Sequence, residues 1–317
     1  MEIKFGESAE LWDEFVHSSP QRSVFVSTKF LNSLNTKYEL VTCAEDNKIV
    51  AGLVVLFGDD GPISGVFPFT EYQGLSLADN SALEPHRRQS LEFKVTEFLI
   101  AECTEHYGQL CLCHSWRLVD MRPFQWFNYH EPEKGVYNLV LRYSAVLDLR
   151  KHESFDEYLG TIRKVRRQEI KKAFENLKIE EIDDEMVLDD LHDKTFKRQG
   201  IERDEKESLL LRSITKSALD NHYGRLTCVK VDGVPVAANL FIFDDRSGFY
   251  LFGANHPDYR NLNAGTLLLA DAVRDAMDKK LSEVDFVGAN SPNRGDFKLS
   301  FNPELKPYFV TTFKPSV

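Results

Sequence analysis

At 317 residues the chain is longer than a single compact core usually grows, so two domains of roughly 150 residues each are the starting expectation. A composition of 42% hydrophobic, 12% aromatic and 28% charged residues excludes a disordered or collagen-like chain. The net charge of −11 opposes general binding of nucleic acid or anionic membranes, and the longest apolar run, Ile49 to Phe57, is far short of a membrane span; the chain reads as soluble and cytoplasmic, with no DNA partner.

In chain order, Tyr38 to Glu45 reads as a strand, Asp46 and Asn47 as a turn, and Lys48 to Phe57 as a second strand, with a third running through Phe67 after the turn GDDG. Apolar Leu91, Val95, Phe98 and Leu99 then mark an amphipathic helix, and QLCLCHS a further strand. Cys111 and Cys113 alternate with leucines in that strand. With five cysteines, no second pair nearby and no metal spacing among the nine histidines, they read as buried thiols and no metal site is expected. Residues 163–172 (RKVRRQEIKK) form a helical stretch with six cations and one glutamate, where Arg163 and Arg167 could face an anionic substrate or simply solvate a helix.

The second half repeats the first. Arg225 to Val231, the turn Asp232-Gly233, Val234 to Phe243, the turn DDRSG and Phe249 to Ala254 form another meander, followed by a helix bearing Leu269, Ala272, Val273, Ala276 and Met277 and by the strand VDFVGA. IVAGLVVLF ending at Phe57 aligns with PVAANLFIF ending at Phe243, an offset of 243 − 57 = 186, and a Thr-Cys pair precedes each copy. Meander, helix and further strand describe an α/β (α+β) mixed sheet flanked by helices, the arrangement of the GNAT acyltransferase core, present twice. The expected domains are 1–145 and 146–317, with the C-terminal tail packing back on the first.

Several segments carry a family resemblance: FYLFGANHPDYRNLNAGTLLLADAVRDAM (249–277), VDFVGAN (284–290) and FKLSFNPELKPYF (297–309) in the second half, FPFTEYQGL (67–75), DMRPFQWFNY (120–129) and Tyr143 to Leu149 in the first. In this order they resemble the FemAB group of the GNAT superfamily over nearly the whole chain. The resemblance implies transfer of an acyl or aminoacyl group to an amine, with acyl-CoA or aminoacyl-tRNA as donor and no permanently bound cofactor.

Aminolysis of a thioester or ester needs a deprotonated amine and charge stabilisation on the carbonyl oxygen, not a protein nucleophile. The sequence agrees: GLSLA around Ser76 lacks the second glycine of a nucleophile elbow, and no phosphate loop or paired-histidine zinc motif is present. A GNAT fold implies donor phosphates over the start of the helix after the meander, here Arg260, Asn263, Ala264, Gly265 and Thr266, with Asn263 where the family pattern has its first glycine. The alternative is a plain loop and cap. The first copy's counterpart, ALEPHRRQS, lacks the glycine, so one donor site is expected.

Lys298 matches the lysine of the family's FK segment and would hold a phosphate or developing negative charge. Asp285 could accept the amine proton, and Tyr250 could hydrogen-bond the carbonyl or act as an acid; a turn residue and a core aromatic are the plainer readings. In the first half Tyr72, Arg122 and Trp126 suit stacking on a sugar with Arg122 on a carboxylate or phosphate, against the alternative of core packing. The expected activity is acyl transfer from acyl-CoA to a small-molecule or lipid-linked sugar or peptidoglycan-type acceptor, for envelope or polysaccharide synthesis. Transfer from aminoacyl-tRNA and a silent glycan- or partner-binding module are the alternatives.

Overall fold

A computed structural model describes residues 1–198 and 200–315, apart from the side chains of Asn293 and Arg294. The elements in chain order are β1 (Glu2–Phe5), α1 (Ala9–Ser18), α2 (Thr28–Leu31), β2 (Tyr38–Glu45), β3 (Lys48–Gly58), β4 (Gly61–Pro62), β5 (Ser76–Leu77), α3 (Pro85–Tyr107), β6 (Leu110–Cys113), α4 (Arg122–Gln125) and β7 (Val136–Asp148). There follow α5 (Phe155–Thr161), α6 (Lys164–Asn176), β8 (Ile179–Glu181), α7 (Glu185–Lys197), α8 (Glu205–Asp220), β9 (Gly224–Val231), β10 (Val234–Phe243), β11 (Ser247–Asn255), α9 (Ala264–Asp278), β12 (Glu283–Asp285), α10 (Pro292–Leu299) and β13 (Glu304–Lys314). They pack as two units: Met1–Arg142 with Pro307–Val317, and Tyr143–Lys306.

In unit 1 the strand order is β1-β2-β3-β4, with β5 also on β3, and β6 pairs antiparallel with β13. Its core joins β2 and β3 (Val41, Leu53, Val55), α3 (Val95, Leu99, Ile100) and β6 (Leu110, Leu112). In unit 2 the order is β7-β12-β11-β10-β9-β8, mixed because β11 and β12 run parallel. There α9 is buried from Ala264 to Val273, its Leu267, Leu268 and Leu269 on the sheet, as its unbroken apolar first half requires. Among the described residues no helix is long and apolar enough to cross a membrane.

The repeat holds at the level of hydrogen-bond register. Each of the eight pairs from Tyr38↔Leu56 to Glu45↔Lys48 recurs 186 residues later, from Gly224↔Ile242 to Val231↔Val234, and the ladder bulges at Val50 and again at Val236. Both turns place two residues at positive φ (Asp46 and Asn47; Asp232 and Gly233), the two-residue hairpin whose twist matches its strands. The two Thr-Cys pairs are not equivalent, however. Thr42 faces Gly52 whereas Thr227 faces Asn239, one position further along the repeat, and one residue of slip turns a side chain to the opposite face.

The copies diverge at the third strand. In unit 2, β11 continues from Gly248, opposite Phe243, to Asn255, opposite Ala237, with one bulge at Leu251. In unit 1 the expected strand through Phe67 is only β4, and pairing resumes at β5 with Ser76 opposite Gly52. Residues 63–75 thus stand where 249–253 stand in unit 2. Pro68 lacks the N–H a ladder needs, and Phe69 and Tyr72 sit at positive φ, which no strand residue adopts.

Candidate functional site

Unit 2 contains a parting of strands. β12 pairs with β11 only over Glu283–Asp285 against Ser247–Phe249; from Tyr250 onward β11 has no β12 partner. Past Asp285 the chain instead follows β7, with the Phe286 N–H on the Ala145 carbonyl (2.8 Å) and the Ala289 N–H on that of Tyr143 (2.7 Å). Val287 and Gly288 turn it away at φ of 55° and 35°, a conformation that a β-branched residue adopts only when held.

Two expected catalytic residues supply that hold. Lys298, on α10, donates its ammonium to the carbonyls of Val287 and Gly288, the latter at 2.9 Å. Asp285 is fully buried and accepts from the Val287 N–H (2.7 Å) and the Ser144 hydroxyl. Both side chains engage the turn that carries β12 off β11. Tyr250, the first residue past the last pair, has its ring in the core with Phe241 and Leu269, and burial pushes its hydroxyl up from the usual tyrosine value.

At the other end of the parted stretch α9 begins. Asn263 caps it at φ 58°, ψ 28°, the left-handed geometry that asparagine tolerates, and no side chain caps the first N–H groups. Gly265 is closely packed: a methyl group there would lie 2.4 Å from the Asn255 side-chain oxygen and would displace that side chain. Ala264 and Thr266 are buried and Arg260 is exposed.

The arginine that reaches this helix is Arg166, which the sequence reading passed over. Its guanidinium, mostly buried, donates to the Thr266 hydroxyl (2.9 Å), the Ser300 hydroxyl (2.8 Å) and Glu169 (2.7 Å), and lies 5.1 Å from the Phe297 ring centre. Arg167 instead donates to the Gly160 carbonyl (2.9 Å), closing the end of α5, and Arg163 forms an exposed pair with Asp296 at 3.6 Å. Helical spacing carries the signal that separates them: Arg166 lies four residues before Ile170, which with Ala173 makes up the helix's buried residues.

In unit 1, Tyr72 is buried edge-on between Phe25 (6.1 Å) and Tyr308 (5.5 Å). Arg122 and Trp126 do meet: the guanidinium forms a two-point pair with Asp120 (2.8 and 2.6 Å) and lies 5.5 Å from the rings of both Phe93 and Trp126, with Trp126 half exposed. Segment 71–75 is tied to its neighbours. Cys113 and Tyr308 donate to Glu71 (3.6 and 3.1 Å), and the Leu75 N–H donates to the His114 ring (3.4 Å). Burial pushes His114 down to about 3 and raises the thiol of Cys113. All five cysteines are buried and free, and no cluster of potential metal ligands occurs among the described residues.

Residues 160–299 match the family model for an acetyltransferase (GNAT) domain. Among solved structures, FemX superposes with a TM-score of 0.68 at 13% identity, covering 98% of this chain and 97% of that one. A tandem GNAT protein from the clavulanic acid biosynthesis pathway gives 0.56 at 12% identity over 100% and 99% of the two chains, and L-PGS from Bacillus licheniformis 0.53 at 11% over 96% and 92%. No curated protein sequence matches the chain. The second unit thus carries a GNAT acetyltransferase domain, and the chain shares the fold of FemX over nearly its whole length.

Proposed function

We propose that this protein transfers an acyl group from acyl-CoA directly to an amine of a sugar or peptidoglycan-type precursor in the cytoplasm, using a single donor site in unit 2. The observation that carries the reading is the parting of β11 from β12 beside an uncapped helix start. Uncapped N–H groups with the helix dipole favour a diphosphate, and Arg260 and the Arg166–Thr266 pair add positive charge and a hydroxyl at that end. From Ala254 to Tyr250 the parted strand is about 13 Å long at about 3.3 Å per residue, and this edge, closed at Asn255 by the Thr195 hydroxyl, suits the amides of an extended donor arm. Lys298 and Asp285 keep the parting open by fixing the turn at Val287. The amine attacks without a covalent enzyme intermediate. Arg122 and Trp126 are the acceptor-binding candidates of unit 1, on account of their half-exposed stacked surface.

A second reading, aminoacyl-tRNA as donor, is favoured by one feature: Arg163, just before α6, and Lys164, Lys171 and Lys172 on it are all exposed in an otherwise acidic protein. The structural neighbours include both a tandem GNAT protein described without AcCoA and a putative lysylphosphatidylglycerol synthetase domain. Mass spectrometry of mixed amine acceptors incubated with acyl-CoAs or with charged tRNAs decides. Product with acyl-CoA alone supports the first reading, product with tRNA alone the second, and product with neither rejects both.

A further inference from the structure

Two arginines of this chain show how one edge of a guanidinium group is filled. The Nε and Nη2 atoms of Arg122 meet both oxygens of Asp120 (2.8 and 2.6 Å), and those of Arg150 meet both oxygens of Asp148 (2.8 and 2.9 Å). Arg203 carries the same edge empty: neither its Nε nor its Nη2 has a partner among the described residues. Solvent reaches the side chains of Arg122 and Arg150, whereas that of Arg203 is only 3% exposed. A buried cation with open donors destabilises a fold unless something pairs with it.

The surroundings supply no anion for that edge. Arg203 lies on the link between α7 and α8, and its Nη1 donates to the carboxylate and the carbonyl of Asp189 on α7 (2.9 and 3.2 Å). The same carboxylate accepts from the Ser208 hydroxyl (2.6 Å) and lies 3.6 Å from Arg212, so one acid serves two guanidinium groups. Asp204 caps α8 with its own side chain, and Glu202 is exposed. With both chain neighbours of Arg203 exposed, the empty edge lies close beneath the surface. Its helix also borders the parted strand. On α7, Thr195 is bonded to Asn255 and the His192 ring lies 5.9 Å from that of Phe252; Asp189 is about one turn further on, in the direction of Tyr250, where β11 leaves β12.

We propose that the Nε–Nη2 edge of Arg203 is a two-point binding site for an anionic group of the amine acceptor, a carboxylate or a phosphate. Either group offers two oxygens at the spacing of the fork. Such an anion also balances the second guanidinium charge that Asp189 leaves over. The inference deepens the acyl-transfer reading above and rests on it for the identity of the ligand as acceptor; the empty edge itself does not depend on that reading. Arg203 takes no part in proton transfer. It holds the acceptor by its acid group, so the preferred acceptor is an amine that bears one, not a neutral amino sugar.

The test uses Arg203→Lys, which keeps a cation for Asp189 but has no fork, and Arg150→Lys as the control whose edge is already filled. Melting is measured in phosphate, acetate or chloride at one ionic strength. We expect phosphate or acetate to raise the melting temperature of the wild type and of Arg150→Lys in a saturable way, and to leave Arg203→Lys at its chloride value. The double variant Arg203→Met with Asp189→Asn, which strands neither partner, should behave as Arg203→Lys does. Thiol release from acetyl-CoA is then followed with glucosamine, muramic acid and glucosamine 6-phosphate as neutral, carboxylate and phosphate acceptors. Arg203→Lys should raise KM about tenfold for muramic acid, glucosamine 6-phosphate or both, which names the anion, with kcat and the KM for glucosamine within about twofold. No saturable rise in the wild type, an equal rise in Arg203→Lys, or equal KM changes for all three amines would overturn the inference. A wild type that acetylates none of the amines speaks against the donor reading instead, and the melting comparison still decides on Arg203.

Discussion

Two hairpins with the same register end in opposite uses of the third strand. In unit 2 the strand continues and then stands clear of β12, leaving an unpaired edge beside a helix start. In unit 1 the corresponding stretch is a loop fastened to β6 and β13 through Glu71, His114 and Tyr308, and the helix that follows begins at Pro85 behind Glu84 instead of at an Asn-Ala-Gly turn. A duplicated scaffold can therefore keep its ladder while one copy gives up the gap. Backbone pairing in the hairpin is the same in both copies; the strand after it is not.

The comparison can be broken or sharpened by substitution. Leu53→Asn carries the unit 2 residue, Asn239, into unit 1; we expect a loss of about 3 kcal/mol in denaturant unfolding from lost apolar burial and a buried unsatisfied amide. Lys298→Met removes charge-assisted bonds to two carbonyls at a strained turn, for about 2 kcal/mol or roughly 30-fold in acyl-transfer rate, measured as thiol release. A variant with full activity would show that the parting does not need its clamp.

His114 gives a pH test specific to unit 1. Its folded value near 3 lies below the ordinary 6.5, so its contribution is fully present above pH 6.5 and is lost as pH falls toward 3, where the unfolded chain binds the extra proton. The slope is at most about 1.4 kcal/mol per pH unit, and His114→Asn should flatten the fall in melting temperature between pH 6.5 and 4. Arg166→Gln should weaken acetyl-CoA binding about tenfold by calorimetry through the loss of its hold on Thr266. Arg163→Glu, which breaks only an exposed pair, should change the same affinity about twofold or less under the acyl-CoA reading; a large loss would favour a polyanionic donor.

Much of this fold was legible because period-two apolar runs, Asp-Asn and Asp-Gly turns and a repeat at fixed offset are local signals. The helix start was legible for the same reason: asparagine before Ala-Gly marks a left-handed cap, and Asn263 adopts one. The broken third strand was not, since Pro62, Pro68 and two glycines argue against a strand without saying where pairing resumes. Side-chain partners were hidden by distance along the chain. The nearness of Lys298 to the carbonyls of 287 and 288, and of Arg166 to Thr266 a hundred residues away, depends on tertiary packing. Arg163 and Arg167 drew notice by charge count, whereas Arg166 is marked only by its place relative to Ile170.

One feature bears on biosynthesis. The strand that hydrogen-bonds to β6 in unit 1 is β13, so that Cys113 waits for Val310. A ribosome would have emitted all of unit 2 before β6 could meet its partner strand. Until then the β6 edge stays open to any extended peptide, and closing so long a chain loop is slow. Chaperone occupancy of nascent chains should accordingly persist until residues 307–314 emerge.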